Sequence, residues 1–173
     1  IKIGFLIVIN KFNNMRSIIT HPNEILNKVA QPVEEFDFEL GNIIEDMIQV
    51  MFQHKGVGIA APQIGESLRL IAFMPLISES DYPQAPRILI NPVIIGYSKN
   101  FSEEWEGCLS LPGQMVKIYR PIWIEVHAQD EDGNEFDEKF DYLSARIIQH
   151  EINHLDGILI NKYINHNNLR LIS

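Results

Sequence analysis

The sequence predicts an α+β fold in which antiparallel sheets pack around a buried helix that carries an HExxH pattern. Short β-branched runs fill the middle of the chain, and a stretch of alternating apolar and polar residues before Asp132-Gly133 indicates a hairpin. Two segments with apolar residues at steps of three and four indicate helices, and the second one contains the pattern. A chain of 173 residues is long enough for one compact core.

The expected elements follow one another without a repeat or a linker. Their order is a helix at 37–54, strands at 69–74 and 88–95 with an exposed loop at 78–86 between them, a hairpin at 122–142 and a largely buried helix at 143–155. Asp37 is the expected N-cap of the first helix, because a short acidic side chain can accept a free backbone N–H there. Gly157 follows the second helix and is typical of a helix end. The chain after it is expected to form a final short strand or a short tail.

The first fourteen residues differ from the rest. The apolar run from Ile3 to Ile9 is at the lower length limit of a signal peptide, and no small-residue cleavage site follows it. We expect residues 1–14 to be an N-terminal extension whose structure stays open between an edge strand and an added segment. Residues 15–173, beginning at Met15, are expected to form a single domain.

The composition bears on the partners. A formal net charge of −9 argues against nucleic acid as a direct substrate, because binding to phosphates depends on Lys and Arg. No apolar segment is long enough to span a bilayer, so we expect no membrane partner. The only cysteine, Cys108, cannot form an internal disulfide, which suits a reducing compartment. We expect the protein to lie in the bacterial cytoplasm rather than in an organelle.

The sequence His150-Glu151-Ile152-Asn153-His154 lies inside the second predicted helix. Residues four apart lie above one another on a helix, so both imidazoles can reach one ion, and Glu151 can reach a water molecule beside them. Two histidines four apart also occur by chance. A catalytic site needs a third protein ligand, so that ligand decides between the two interpretations.

The third ligand has few candidates. No glutamate follows Glu151, and Ile160 stands where a HExxHxxGxxH pattern has its third histidine. Asp156 lies off the face of the two histidines. Cys108, in EGCLS at 106–110, remains as a thiolate ligand. A free cysteine is also common as a small buried apolar side chain. The residues alone do not decide between a metal ligand and a buried apolar residue.

Three segments stand in order along the chain, namely GVGIAAPQ at 56–63, EGCLS at 106–110 and QHEINH at 149–154. Together they resemble the three signature motifs of peptide deformylases, and the resemblance runs from Met15 to about Ile164. It implies a metal-dependent hydrolase that removes the N-formyl group from the formyl-methionine of newly made polypeptides and releases formate. The implied partner is the N-formyl-methionyl nascent polypeptide, and the ribosome near its exit tunnel is a candidate partner.

The resemblance also implies roles for individual residues. One divalent ion, natively Fe(II) with Zn, Ni or Co as alternatives, would be held by Cys108, His150 and His154. Glu151 would move the proton as general base and then general acid. The side-chain amide of Gln63 and the backbone N–H of Leu109 would donate hydrogen bonds to the oxyanion.

The same resemblance implies a pocket for the methionine side chain. Its expected lining is Val57, Gly58, Leu143, Arg146 and Ile147. Gly58 is expected to let the backbone of the peptide lie close to the loop. Arg146 matches a position that is often apolar in the family, and we expect either a guanidinium in water at the pocket mouth or a plain surface arginine.

One position departs from the family pattern. Asn153 stands where the family usually has aspartate, and if Arg120 is its partner, an ion pair becomes a hydrogen bond to a neutral amide. Two rival functions follow from the sequence. The first is another metal hydrolase, such as a zinc peptidase, although its usual third-ligand patterns are missing. The second is a non-catalytic member that binds peptides or ribosomes.

Overall fold

The computed structural model describes residues 16–75, 85–165 and 167–172 of the chain. The expected extension at 1–14 and most of the expected loop at 78–86 lie outside the described residues. The two α-helices of the described part are α1 (Phe38–Gln53) and α2 (Tyr142–Leu155). Its strands are β1 (Gly58–Ala60), β2 (Leu70–Phe73), β3 (Arg87–Tyr97), β4 (Phe101–Gly107), β5 (Gln114–Pro121), β6 (Trp123–Gln129), β7 (Glu135–Asp141) and β8 (Leu169–Leu171).

The ends of both helices follow from local chemistry. The Asp37 carboxylate accepts the Leu40 N–H at 3.0 Å, so the predicted N-cap of α1 is confirmed. After α2, Gly157 takes the left-handed conformation with φ +67° and donates its N–H to the His154 carbonyl at 3.1 Å. A Cβ at Gly157 would lie 2.6 Å from the Asn27 carbonyl oxygen, so the chain that crosses the helix end also requires glycine there.

The strands form two sheets, and every strand pairing in them is antiparallel, as predicted. The larger sheet has the order β1-β2-β3-β6-β7, and the smaller one has the order β4-β5-β8. The predicted hairpin is β6–β7, closed by a turn in which the Asp130 carboxylate accepts the N–H groups of Asp132 and Asn134. Of the two alternatives for the end of the chain, the described residues show the short strand, β8.

Helix α2 contacts strands of both sheets, namely β1, β2, β6 and β7 of the larger sheet and β5 of the smaller one. Ile148 and Leu155 on α2 are completely buried against the larger sheet. Full burial of such a side chain contributes about 1.5–3 kcal/mol, so packing holds the helix in place. No helix in the described part of the chain is long and apolar enough to cross a membrane.

Candidate metal centre and active site

Three potential metal ligands meet where α2 passes the end of β4. Strand β4 ends at Gly107, so Cys108 follows it directly. His150 and His154 lie one turn apart on α2 with their ring centroids 5.2 Å from each other. The Cys108 Sγ is 3.2 Å from His154 Nε2, and one ligand atom from each of the three residues lies within 4.8 Å of the others. All three residues are buried.

The chemistry of this group fits one divalent ion. A thiolate and two imidazoles make a three-ligand set that leaves a fourth position for water. His150 uses its Nδ1 toward the Glu106 Oε2 at 3.0 Å, which orients its Nε2 toward the other two ligands. Two buried polar atoms, His154 Nδ1 and Glu151 Oε2, have no hydrogen-bond partner among the described residues. Sulfur and imidazole donors suit Fe, Zn, Ni and Co, so the donor set does not select the metal.

Glu106 is the residue of the site that the sequence reasoning missed. Its buried carboxylate accepts hydrogen bonds from Arg120 Nε at 2.6 Å and Nη2 at 2.8 Å, and from Arg146 Nη1 at 2.6 Å. Burial alone would raise the pKa of Glu106, but the hydrogen bonds from Arg120 and His150 bring it down to about 2. The carboxylate is therefore charged, and it holds the His150 ring in one orientation. Glu106 is the first residue of the EGCLS motif, two positions before Cys108, and this position is the signal that could have identified it.

Arg146 corrects both expectations for its side chain. Its guanidinium lies neither in water nor on the surface, since the residue is only 7% exposed. Besides Glu106, it donates to the Ile118 carbonyl at 3.0 Å and to the Ser102 carbonyl at 2.8 Å. The guanidinium is buried because the buried carboxylate of Glu106 requires cationic donors. The prediction of a surface side chain did not take this carboxylate into account. Arg146 thus ties α2 to β4 and β5.

Arg120 is the partner of Asn153, which the sequence analysis had treated as one possibility. The Arg120 Nη1 donates to the Asn153 Oδ1 at 2.9 Å, while its other two donors serve Glu106. The contact is a hydrogen bond from a cation to a neutral amide and adds no countercharge. One carboxylate, that of Glu106, therefore faces the two buried guanidiniums of Arg120 and Arg146.

Glu151 is 4% exposed and points into the same space as the ligands. Burial raises the pKa of its carboxyl to about 7. Gly58 on β1 packs directly against it, since a Cβ on Gly58 would lie 2.5 Å from Glu151 Oε1 and 2.7 Å from Ile147 Cγ2. The structure thus explains this glycine by the close approach of helix and strand, where the sequence reasoning invoked the backbone of the peptide. A side chain at position 58 would displace Glu151.

The two histidines differ electrostatically. Burial lowers the pKa of His154 well below its usual range, which keeps its imidazole neutral. Burial opposes a charge on His150 as well, but hydrogen bonds with Cys108 and Glu106 raise its pKa to about 10. A ligand imidazole must be neutral, so binding of an ion would release a proton from His150.

Gln63 and Leu109 both lie next to Cys108 in the site. Gln63 lies in the 3-10 turn Ala61–Ile64 and is 1% exposed. Its Oε1 accepts the Ala60 N–H at 2.8 Å, which turns Nε2 toward Ser110 Oγ at 3.2 Å and Cys108 Sγ at 3.9 Å. Within the described parts of the chain, no backbone hydrogen bond uses the Leu109 N–H.

A cavity of about 390 Å³ opens beside these groups. It contains all five residues that the sequence reasoning assigned to the pocket: Val57, Gly58, Leu143, Arg146 and Ile147. Cys108, His150, Glu151 and Gln63 lie along the same cavity. Several further lining residues were not predicted from the sequence, among them Trp105, Gln114 and Ile172. The size is within the range of small-ligand sites.

Comparisons with known proteins identify similar chains. A peptide deformylase of Acidobacterium capsulatum is 43% identical over 145 residues, which cover 84% of this chain and 84% of the relative. One of Bartonella tribocorum is 39% identical over 150 residues, 87% of this chain and 84% of the relative. The crystal structure of a peptide deformylase from Legionella pneumophila superposes with a TM-score of 0.80 at 37% identity, covering 88% of both chains.

The match extends beyond single relatives. The family model described as Polypeptide deformylase matches residues 15–170, which is nearly the whole chain. The matched range includes every residue of the site described above except Ile172. This chain therefore belongs to the polypeptide deformylase family.

Proposed function

We propose how this chain removes the N-formyl group from newly made polypeptides, the hydrolase activity that its family membership establishes. The observation that supports the proposal is the convergence of Cys108, His150 and His154 within 4.8 Å, beside the buried carboxyl of Glu151. These three residues would hold one ion, with Fe(II) as the native metal. When bound, the ion would act as a Lewis acid that polarises the formyl carbonyl and lowers the pKa of water.

Glu151 moves the proton. It removes a proton from the attacking water as general base and returns the proton to the departing amine as general acid. The Oε2 atom that has no partner in the described part of the chain is the atom available for this exchange. The same carboxyl serves both steps. Hydrolysis of the formyl amide yields formate and a polypeptide with a free amino group.

Attack at the formyl carbon produces a tetrahedral oxyanion, and Gln63 and Leu109 stabilise it. The Gln63 amide is already oriented by its bond to the Ala60 N–H, which holds Nε2 on the side of Cys108. The Leu109 N–H is free for the same purpose within the described residues. Each preorganised donor of this kind contributes on the order of 3 kcal/mol to the transition state.

The methionine side chain occupies the apolar part of the cavity. Ile147 is buried there, whereas Val57 and Leu143 are about half exposed. Gly58 contributes its backbone, and Arg146 contributes only its aliphatic stem, because its guanidinium is engaged with Glu106 and two carbonyls. The sheets act as a frame that holds the HExxH helix, so that its ligand face meets the end of β4.

The wider setting follows from the substrate. New formylated polypeptides arise at ribosomes, so we place the enzyme in the bacterial cytoplasm with the ribosomal exit tunnel as a candidate contact. Residues 15–173 act as one catalytic domain in this proposal, and residues 1–14 are an extension in front of it.

Formate release tests the proposal. Anaerobically purified protein with its metal content counted is given formyl-Met-Ala, and the same protein treated with EDTA serves as control. Metal-dependent release of formate from the formylated peptide, with no cleavage of Met-Ala, is the expected result. Cleavage of Met-Ala would instead indicate a peptidase. A protein that binds one metal per chain and formylated peptide, but releases no formate, would be a binding member of the family.

A further inference from the structure

The last strand forms part of the cavity wall. Strand β8 pairs with β5 in a register that places Val116 opposite Leu169 and Gln114 opposite Leu171. The ladder continues one residue further, where the Ile172 N–H donates to the Gly113 carbonyl at 2.9 Å. These backbone bonds determine where Ile172 lies, and the residue lines the cavity together with Gly113 and Gln114.

The same strand also positions an aromatic ring of that wall. The Arg170 guanidinium lies over the Trp105 ring, 4.5 Å from its centroid. Such a cation–π contact favours one placement of the indole. Trp105 lines the cavity from β4, which is separated from β8 by β5. The cavity wall at this place therefore consists of Trp105, Gly113, Gln114 and Ile172, and none of its side chains is charged.

The exposure of the lining residues distinguishes two ends of the cavity. Gln63, His150 and Glu151 are at least 90% buried and mark its closed end. Ile172 is 49% exposed, and Val57 is 46% exposed, so they border its opening. The reacting formyl group must lie beside Glu151. A long polypeptide therefore leaves the cavity through this opening, and Ile172 lies on its border.

We propose, on the basis of the function given above, that Ile172 and Trp105 bind an apolar side chain on one of the two residues that follow the formyl-methionine. An isoleucine and an indole offer apolar area, so contact with a leucine-like side chain is favourable. Ile172 is then a specificity-determining residue contributed by the C-terminal strand. Its contacts lie away from the reacting atoms, so they act on substrate binding.

The experiment compares three formylated tripeptides: formyl-Met-Ser-Ser, formyl-Met-Leu-Ser and formyl-Met-Ser-Leu. In the metal-loaded parent enzyme we expect kcat/KM for one leucine peptide to exceed that for the serine peptide about fivefold, mostly through a lower KM. Ile172→Ala should abolish this preference, and Ile172→Leu should keep it. Ile95→Ala is the matched control, because Ile95 is 51% exposed on β3 and is not part of the cavity lining.

The outcomes separate the inference from the function on which it rests. A parent enzyme that releases formate without any preference for leucine, or an Ile172→Ala variant that keeps the preference, would overturn the role of Ile172 and leave the deformylase activity intact. A parent enzyme that releases formate from none of the three peptides would contradict the proposed function itself. Unfolding of the variant in urea at the parent midpoint would show that the lost preference is not a loss of fold.

Discussion

Replacing Glu106 by glutamine tests the buried ion network that supports the metal centre. Glu106→Gln keeps the shape of the side chain but converts one carboxylate oxygen into an NH2 group. The four N–H groups that now point at the carboxylate come from Arg120, Arg146 and His150, and they lie 2.6–3.0 Å from its oxygens. An amide cannot accept all of them, and two guanidiniums remain buried without an anion.

The expected cost follows from that geometry. Removing one partner of a buried ion pair costs about 3–5 kcal/mol, because an uncompensated charge stays in the protein. Total stabilities of such domains are about 5–15 kcal/mol, so the variant should be visibly destabilised. His150 would also lose the acceptor that orients its ring, and loss of such support lowers metal affinity about 10- to 100-fold.

The assay is urea unfolding of EDTA-treated protein, in which bound metal contributes nothing to the unfolding free energy. Glu103→Gln is the matched control, since Glu103 lies on the same strand and pairs with Lys117 Nζ at 2.7 Å, but both side chains are about one-third exposed. We expect the control to unfold at nearly the free energy of the parent, because solvent screens an exposed ion pair. Metal affinity is measured in parallel by competition with a chelator. If both variants unfold at the same free energy and hold metal like the parent, the network does not support the site.

Three further substitutions probe other parts of the site. Gly58→Ala places a Cβ 2.5 Å from Glu151 Oε1, so kcat should fall about 100-fold, whereas Gly41→Ala, with nothing within 4 Å, should keep full formate release. Gln63→Met removes the amide donors, and kcat should fall about 100-fold with the metal content unchanged; an unaltered kcat would exclude Gln63 from oxyanion stabilisation. Asn153→Asp gives the Arg120 guanidinium a charged acceptor, so the unfolding free energy measured in urea should rise by about 1 kcal/mol. A lower unfolding free energy would contradict the idea that the two buried guanidiniums lack a second anion.

Much of the fold could be predicted because it depends on local signals. The N-cap at Asp37 and the turn between β6 and β7 each follow from one or two residues whose side chains bond to the adjacent backbone. The metal ligands could be predicted for a related reason. His150 and His154 are neighbours on one helix, so their spacing alone brings the two rings together.

The support of the site could not be predicted in the same way. Glu106 meets Arg120, Arg146 and His150 only through the packing of β4 and β5 on α2, and these contacts span 14 to 44 positions along the chain. A period or spacing rule carries no information on such pairs. Arg146 was therefore predicted near the surface, although its guanidinium binds the buried carboxylate of Glu106.

Pocket residues were predictable to different degrees. Ile147 and Leu143 were expected in the pocket because of the family resemblance, and in the structure they lie on the same helix as His150 and His154. Ile172 arrives from the last strand, and its position depends on the pairing of β8 with β5. Gly58 was singled out correctly as a lining residue, but the reason for glycine is the approach of Glu151 and Ile147 across the strand.

The proposed mechanism depends on Glu151, whose carboxyl lies beside the three ligands and moves the proton. The most direct measurement is formate release from formyl-Met-Ala by Glu151→Ala, with the metal content of the purified variant counted. We expect one metal per chain, as in the parent, and loss of nearly all turnover, because Cys108, His150 and His154 remain intact while the base is gone. Full turnover by a metal-loaded Glu151→Ala variant would contradict the mechanism.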